Sequence, residues 1–240
     1  MDKLRARLQD LIHELDDADD VRAALKSLIS VYPFSEYEAM VCALLARDKL
    51  TWPDYLALRE EYLARNPYLH LFEMSAPRAF GETWAHRHLT DLAPELQKAS
   101  MKLDPSYTRQ QYDLWLDGGV RIEVKASRAV DADRDGPLYA KALSSRSSAR
   151  FDMNLQQVKC DCCEVFIWVA VWRDRIRYWV LNADEVAANP CYSPRQHRGN
   201  VGEGQLHLNR ENVADFAQYE TTPPQLLDAV RAAHERLHPA

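Results

Sequence analysis

The chain has 240 residues, a net charge of −6 and 47% hydrophobic residues, enough to bury a full core as one domain or two small ones. No apolar run approaches the roughly 20 residues that a transmembrane helix needs, and the N-terminal sequence lacks the apolar core of a signal peptide. The five cysteines, an odd number, argue against a secreted disulfide framework, so we expect a cytoplasmic protein without a membrane partner.

Residues 1–75 predict an all-helical N-terminal domain of four helices, because their leucines and other apolar residues recur at helical spacing. The last of these helices is expected to open at Thr51-Trp52-Pro53-Asp54, with Pro53 in its first turn, and to end at Asn66-Pro67. The segment carries no chemical motif. A plain structural role is the simplest interpretation, and dimerisation or DNA recognition are the alternatives.

Residues 76–240 are expected to form a second domain, which begins with a helix over Ala79–Leu92. This helix carries Glu82 near its N-terminus, where the helix dipole favours an acid even without a function. His86 and His88 are two positions apart and do not share a helix face, so they are not interpreted as a pair of metal ligands.

The stretch from Tyr112 to Ser127 predicts a β-hairpin. Two alternating runs, Tyr112–Leu116 and Val120–Ala126, flank the strong turn signal Asp117-Gly118-Gly119. Because side chains alternate along a strand, the apolar residues of the second run share one face and its charged residues share the other. The charged face of the second strand consists of Arg121, Glu123 and Lys125.

The length of the turn decides whether Asp113 can join Glu123 and Lys125. If Asp117–Gly119 is the whole loop, Leu116 pairs with Val120, and the Cβ atoms of Asp113 and Glu123 are roughly 5 Å apart. A two-residue loop would turn Asp113 to the opposite face. We therefore expect an odd-numbered loop, or a bulge that restores the parity.

Further along the chain, Phe151–Lys159 is expected to be a helix, and Cys163–Val171 a buried central strand. Arg175–Leu181 returns as its hairpin partner. Residues 206–208 are expected to form a short strand and residues 223–237 a C-terminal helix. This order of elements predicts an α/β fold in which a mixed central β-sheet is flanked by helices and preceded by the N-terminal helical segment.

Two segments offer alternative binding chemistry. Cys160-Asp161-Cys162-Cys163 has no second close ligand pair, so buried free cysteines are favoured over a zinc site. The polar loop Ser193–Asn200 is rich in groups that contact base edges and phosphates, although an ordinary surface loop is the alternative. The residues expected to contact DNA are Arg195, Gln196, His197 and Arg198, together with Arg128 in the polar stretch that follows the hairpin.

Two carboxylates and an ammonium on one sheet face suit metal-assisted phosphodiester cleavage. Asp113 and Glu123 would share a Mg²⁺, a hard cation that prefers oxygen ligands, and the Val124 carbonyl would add a third oxygen. Lys125 would orient or deprotonate the attacking water and offset developing negative charge. The alternative is that Glu123 and Lys125 are an exposed ion pair on an edge strand, which leaves Asp113 without a role.

Asp113 followed by Glu123-Val124-Lys125 after a short hairpin resembles the PD-(D/E)xK nuclease superfamily, which includes many type II restriction endonucleases. The resemblance covers roughly Phe80 to Leu181, and the proline of the family motif is replaced by Tyr112. It implies a restriction-endonuclease-like sheet, Glu82 as an additional metal ligand, and a glutamine near the site, either Gln156 or Gln157, on the helix after the hairpin.

The resemblance implies a Mg²⁺-dependent, sequence-specific endonuclease acting on double-stranded DNA, expected to be a homodimer because two strands require two active sites. A cognate DNA methyltransferase is implied by the resemblance only. One alternative is a repair or recombination nuclease on structured DNA, and another is a catalytically silent DNA-binding module. Residues 121–210 contain 14 Lys and Arg against 11 Asp and Glu, so the acidity of the chain lies mostly elsewhere.

Overall fold

The computed structural model describes residues 2–27, 36–108, 112–195 and 202–239. The chain divides into two compact units, Met1–Asn66 and Pro67–Ala240. The division precedes the boundary expected at residue 75, because Leu71 and Phe72 are buried in the core of the second unit. No described helix combines the length and the apolar character that crossing a membrane requires.

The first unit is helical, as predicted. Its described residues, 2–27 and 36–66, contain four helices: α1 (Asp2–His13), α2 (Ala18–Ser27), α3 (Glu36–Leu45) and α4 (Trp52–Arg65). Apolar side chains at helical spacing meet in one core, because a 3.6-residue period puts them on one stripe of each helix. The buried members of this core are Leu8, Ile12, Leu15, Val21, Met40, Leu44 and Leu50.

Local sequence explains both ends of α4. The Thr51 side chain accepts a hydrogen bond from the Asp54 N–H, and the Asp54 carboxylate accepts one from the Thr51 N–H, which forms a capping box. Pro53 occupies the first turn, where its missing N–H costs nothing. Asn66 caps the C-terminus, so both predicted ends of this helix are confirmed.

The second unit is built on a mixed six-stranded sheet in the order β1-β2-β3-β5-β6-β9. Strands β3 and β5 are parallel and every other neighbouring pair is antiparallel. A second, three-stranded sheet has the order β4-β8-β7. The strands are β1 (Gln97–Lys98), β2 (Leu114–Leu116), β3 (Val120–Arg128), β4 (Asp152–Val158), β5 (Val165–Val171), β6 (Ile176–Asn182), β7 (Tyr192–Ser193), β8 (Gly204–Asn209) and β9 (Glu220–Thr221).

Helices flank these sheets, so the predicted α/β class with a mixed central sheet is confirmed. A π-helix over Ala79–Ala85 runs directly into α5 (His86–Leu92), where a single helix was predicted. The remaining α-helices are α6 (Leu138–Lys141), α7 (Ala183–Ala187) and α8 (Leu226–Leu237). Short 3-10 segments occupy Leu69–Phe72, Ala217–Tyr219 and Pro223–Gln225.

Strand β5 is the centre of the fold, as its continuous apolar run predicted. All seven of its residues are buried. Its odd-numbered residues join a core with β3, α5 and α8, and its even-numbered residues join a core with β4 and β8. Because alternate side chains point to opposite faces, the two cores lie on the two faces of the main sheet.

The predicted helix over Phe151–Lys159 is wrong, since these residues form strand β4. Phe151, Leu155 and Val158 fit helical spacing, but Met153 extends an equally good alternation with a period of two. Gln157 has a positive φ of 56°, and the pairing with β8 shifts between Gln156 and Val158. This bulge returns Val158 to the buried face and so explains the mixed signal.

Candidate active site

The hairpin turn has the odd length that the sequence predicts. Leu116 pairs with Val120, which leaves Asp117, Gly118 and Gly119 as a three-residue loop. Gly118 and Gly119 have φ values of 101° and 96°, a region that residues with a side chain rarely adopt. The expected odd loop length is therefore confirmed. The described pairing ends at Leu114 opposite Ile122, and Asp113 is the residue just before it.

Asp113 lies where the β2–β3 ladder ends. Its backbone N–H donates to the Ile122 carbonyl at 2.9 Å, and its carboxylate Oδ2 accepts from the Val124 N–H, also at 2.9 Å. The Asp113 carboxylate thus accepts the Val124 hydrogen bond that the backbone carbonyl of a longer β2 strand would otherwise accept. Because N–H and C=O of one strand residue point to the same edge, the Val124 carbonyl faces the edge at which Asp113 lies.

Glu123 and Lys125 share one face of β3. The Lys125 Nζ donates to the Glu123 Oε1 at 2.5 Å, and their side chains are only 13% and 15% exposed, respectively. In the parallel pairing with β5, Glu123 is opposite Phe166 and Lys125 is opposite Trp168, both buried. The pair is therefore not the exposed edge-strand pair that was the alternative interpretation.

Burial and partners move the pKa values of the two carboxyls in opposite directions. Burial against this apolar wall raises the pKa of Glu123 to about 7, and Asp113 adds to the rise while Lys125 opposes it. Burial also pushes the pKa of Asp113 upward, but His86, the Val124 N–H and Lys125 outweigh it and hold the pKa below its usual value. One carboxylate stays ionised near neutrality while the other is poised to bind a proton.

The helix residue that contacts the Asp113 carboxylate is a histidine, His86, whereas Glu82 was predicted to reach the site from this helix. Glu82 is 67% exposed, and its Oε1 lies 3.6 Å from the Nε of Arg78. One turn later, the His86 Nε2 lies 3.5 Å from the Asp113 Oδ2, with the imidazole only 16% exposed. His86 was not predicted at this site, because its spacing from His88 excludes a shared helix face, whereas its spacing of four residues from Glu82 puts it one turn further along the same helix.

The two glutamines lie on strand β4 rather than on a helix. Both side chains are exposed, and Gln156 pairs through the backbone with Gln205 of β8. Strand β4 does contact β3, and its apolar residues join the core on the face that carries Glu123 and Lys125. The second sheet therefore covers the charged face in the part of the fold where the resemblance implied a helix.

Arg128 has a structural environment. Its Nη1 donates to the carbonyls of Leu71 and Met74 at 2.8 and 2.6 Å, and its guanidinium lies 4.2 Å from the centre of the Phe80 ring. These contacts engage Arg128 within the second unit, and its contact with DNA stays a prediction. The arginine anchors the chain before α5, a long-range role that local polarity does not indicate.

The remaining DNA-contact candidates lie after β7. Arg195 is exposed, and its carbonyl accepts a hydrogen bond from the Ser193 Oγ at 2.9 Å. Gln196, His197 and Arg198 lie outside the described residues.

The three cysteines of the segment Cys160–Cys163 differ in burial. All five cysteines of the chain are free thiols; Cys163, two residues before β5, is buried, whereas Cys160 and Cys162 are partly buried. Burial raises the pKa of the Cys163 thiol well above its usual value, so it is held in the neutral form, which is a poor metal ligand.

The donor set at the hairpin suits a hard divalent cation. It contains two carboxylates, Asp113 and Glu123, and the Val124 carbonyl at the same strand edge, which are the oxygen ligands that Mg²⁺ prefers. The ionised Asp113 and a carboxyl near its midpoint at pH 7 supply the negative charge. The residues present therefore fit the Mg²⁺ ion that the resemblance implies.

No protein-family model matches this chain, and no curated protein matches its sequence.

Proposed function

We propose that the second unit is a Mg²⁺-dependent endonuclease that hydrolyses phosphodiester bonds of double-stranded DNA at a specific sequence, as type II restriction endonucleases do. One observation carries the proposal: the Asp113 carboxylate is bonded to the β3 backbone at Val124, between Glu123 and Lys125, whose side chains are paired and largely buried on one face of β3. A purely structural ion pair on that face would not require a second carboxylate at the end of the ladder.

Each side chain has a distinct part in the proposed hydrolysis. Asp113 and Glu123 would hold Mg²⁺ through carboxylate oxygens, and Val124 would add its carbonyl. The bound ion would supply Lewis-acid activation of a water and would neutralise charge on the phosphate. Lys125 would leave Glu123 and hold its ammonium against the oxygens that gain negative charge as the water oxygen attacks phosphorus and the P–O ester bond breaks.

The proposed partner is double-stranded DNA bound by a homodimer, since cleavage of both strands requires two sites. Arg195, Gln196, His197 and Arg198 are proposed to contact it, because Arg and Gln match the major-groove edges of guanine and adenine. The proposed setting is the cytoplasm, in keeping with five free thiols. A partner methyltransferase rests on the resemblance alone.

Incubation of the full-length protein with phage DNA and Mg²⁺ tests the function. We expect discrete double-stranded fragments from the wild type. The Asp113→Asn variant should make none, although it binds the same DNA in Ca²⁺. Progressive degradation, or cleavage confined to branched DNA, would indicate a repair nuclease. An equally active Asp113→Asn variant would refute the site, and binding without cleavage by the wild type in Mg²⁺ or Mn²⁺ would indicate a silent DNA-binding module.

His86→Ala is expected to lower the cleavage rate at limiting Mg²⁺ by about 10- to 100-fold, the usual effect of removing a group that orients a metal ligand. The reason is that His86 lies against the Asp113 carboxylate, so its loss leaves the Val124 N–H as the remaining contact that orients this side chain. Steady-state rates measured over a Mg²⁺ titration would detect the change, and saturating Mg²⁺ should restore much of the rate.

Glu82→Gln is the matched control on the same helix. Its carboxylate is exposed beside Arg78, so we expect cleavage and Mg²⁺ dependence close to those of the wild type. The reverse result, with a strong defect in Glu82→Gln and none in His86→Ala, would assign the helix contribution to Glu82 instead.

A further inference from the structure

The C-terminal end of α8 brings two imidazoles together. His234 lies in the last turn and His238 caps the helix, four residues later on the same helical face. Their ring centroids are 4.8 Å apart, in an edge-on arrangement. Neither residue belongs to the hairpin site, and neither has a part in the cleavage reaction proposed above.

Glu164 completes the cluster from the start of β5. Its Oε2 accepts a hydrogen bond from the Arg121 N–H at 2.7 Å, and its side chain is only 16% exposed, so its position is held by β3. One ligand atom from each of Glu164, His234 and His238 lies within 4.8 Å of the other two, and this is the one such three-residue group within the described ranges. A carboxylate has about four acceptor sites, so the bond to Arg121 leaves room for a cation.

We propose that Glu164, His234 and His238 bind a divalent transition-metal ion, with Zn²⁺ as the best match. Two neutral imidazoles and one carboxylate are ligands of Zn²⁺ and its neighbours, whereas Mg²⁺ and Ca²⁺ select oxygen sets. Metal–ligand bonds of about 2.0–2.2 Å in tetrahedral geometry require ligand atoms roughly 3.3–3.6 Å apart. The cluster must therefore contract by about 1.5 Å at most, and the exposed His238 can rotate to shorten its own distances to the other two ligands.

Glu164 already contacts one positive charge, the Arg121 guanidinium. Its Nη2 lies 3.4 Å from the Glu164 Oε1, and the side chain is 39% exposed. At this distance the contact is loose, and because the Arg121 side chain is partly exposed, its guanidinium can turn to solvent while the backbone N–H keeps its bond to Glu164. The ion would then link the end of α8 to the strand that pairs with β3. This site is independent of the proposed nuclease activity.

Calorimetric titration of the EDTA-treated full-length protein with ZnCl₂ tests the site. We expect one ion per chain, a higher unfolding temperature with Zn²⁺ than with Mg²⁺, and affinity at least about tenfold weaker in His234→Ala and in His238→Ala. Circular dichroism checks that both variants fold. His207→Ala is the matched control, because that imidazole also lies beside a carboxylate, 3.0 Å from Asp152. It should bind like the wild type.

Co²⁺ spectra separate this cluster from the cysteines. Nitrogen and oxygen ligands produce no thiolate charge-transfer band, so the absence of that band with one bound Co²⁺ supports the cluster. A thiolate band, or unchanged affinity in both histidine variants, would overturn it. Asp113→Asn should keep full Zn²⁺ binding. The test of the Zn²⁺ site is therefore independent of the test of the nuclease assignment.

Discussion

A Lys125→Ala variant is expected to cleave DNA roughly 10³-fold more slowly than the wild type, while its affinity for the same DNA in Ca²⁺ changes little. Lys125 is the only side chain for which the proposal requires a positive charge beside the scissile phosphate. Its ammonium is held on the correct strand face by Glu123, with the Lys125 Nζ 2.5 Å from the Glu123 Oε1. Single-turnover rates in Mg²⁺, with binding measured separately in Ca²⁺, would separate the chemical step from DNA binding.

Lys159→Ala is the matched control for this variant. The Lys159 Nζ lies 3.3 Å from the carboxylate of Glu203, which is 5% exposed, so this variant also removes an ammonium from a buried acid. We expect Lys159→Ala to lose stability but to keep its rate per folded molecule. Similar rate losses in both variants would mean that Lys125 acts through folding and not through the reaction.

The sequence was sufficient for the parts of the site that depend on strand alternation. A single turn, Asp117–Gly119, determined by its length which side chains share a face with Asp113, and the two glycines permit the backbone that this length requires. The run over β5 was equally informative, because only a strand covered on both faces reads as continuously apolar. These features are local, so no tertiary information was needed to predict them.

The sequence was less informative for residues whose structure or surroundings depend on tertiary contacts. Arg128 looked like a DNA contact because its neighbours are polar, but its partners are carbonyls more than fifty positions earlier in the chain. The sequence of β4 fits both a helical and a strand periodicity, and only the left-handed backbone of Gln157, which the sequence does not indicate, explains why the strand is the correct one. His86 reaches Asp113 only because its helix packs near β3, and no short sequence pattern reports that distance.

The burial of Glu123 was also hidden from the sequence, and it changes the expected chemistry. A carboxyl whose pKa is about 7 competes for protons with the metal that it is proposed to bind. Asp113 does not share this sensitivity, because its pKa lies below the usual value. Of the two carboxyls, Glu123 should therefore dominate the pH dependence of metal binding.

We accordingly expect the apparent Mg²⁺ affinity to be nearly constant above pH 8, to fall about tenfold between pH 8 and pH 6, and to approach a 100-fold loss by pH 5. The sign for stability follows from the same shift. Because the folded pKa of Glu123 lies above the usual 4.5, the metal-free protein should lose up to about 3 kcal/mol from this group as pH rises from 4.5 through 7. Mg²⁺ should restore much of that loss, since it binds the ionised form.

Mg²⁺-dependent shifts of the unfolding midpoint, measured from pH 5 to 8.5, test this expectation without requiring cleavage. Glu123→Gln isolates the group: its Mg²⁺ response should be weak and independent of pH, and the decline in metal-free stability between pH 4.5 and 7 should flatten. A wild-type affinity that does not change between pH 6 and 8 would show that Glu123 is already ionised when the metal arrives. The metal would then meet two permanent charges at the hairpin, and proton release would not accompany its binding.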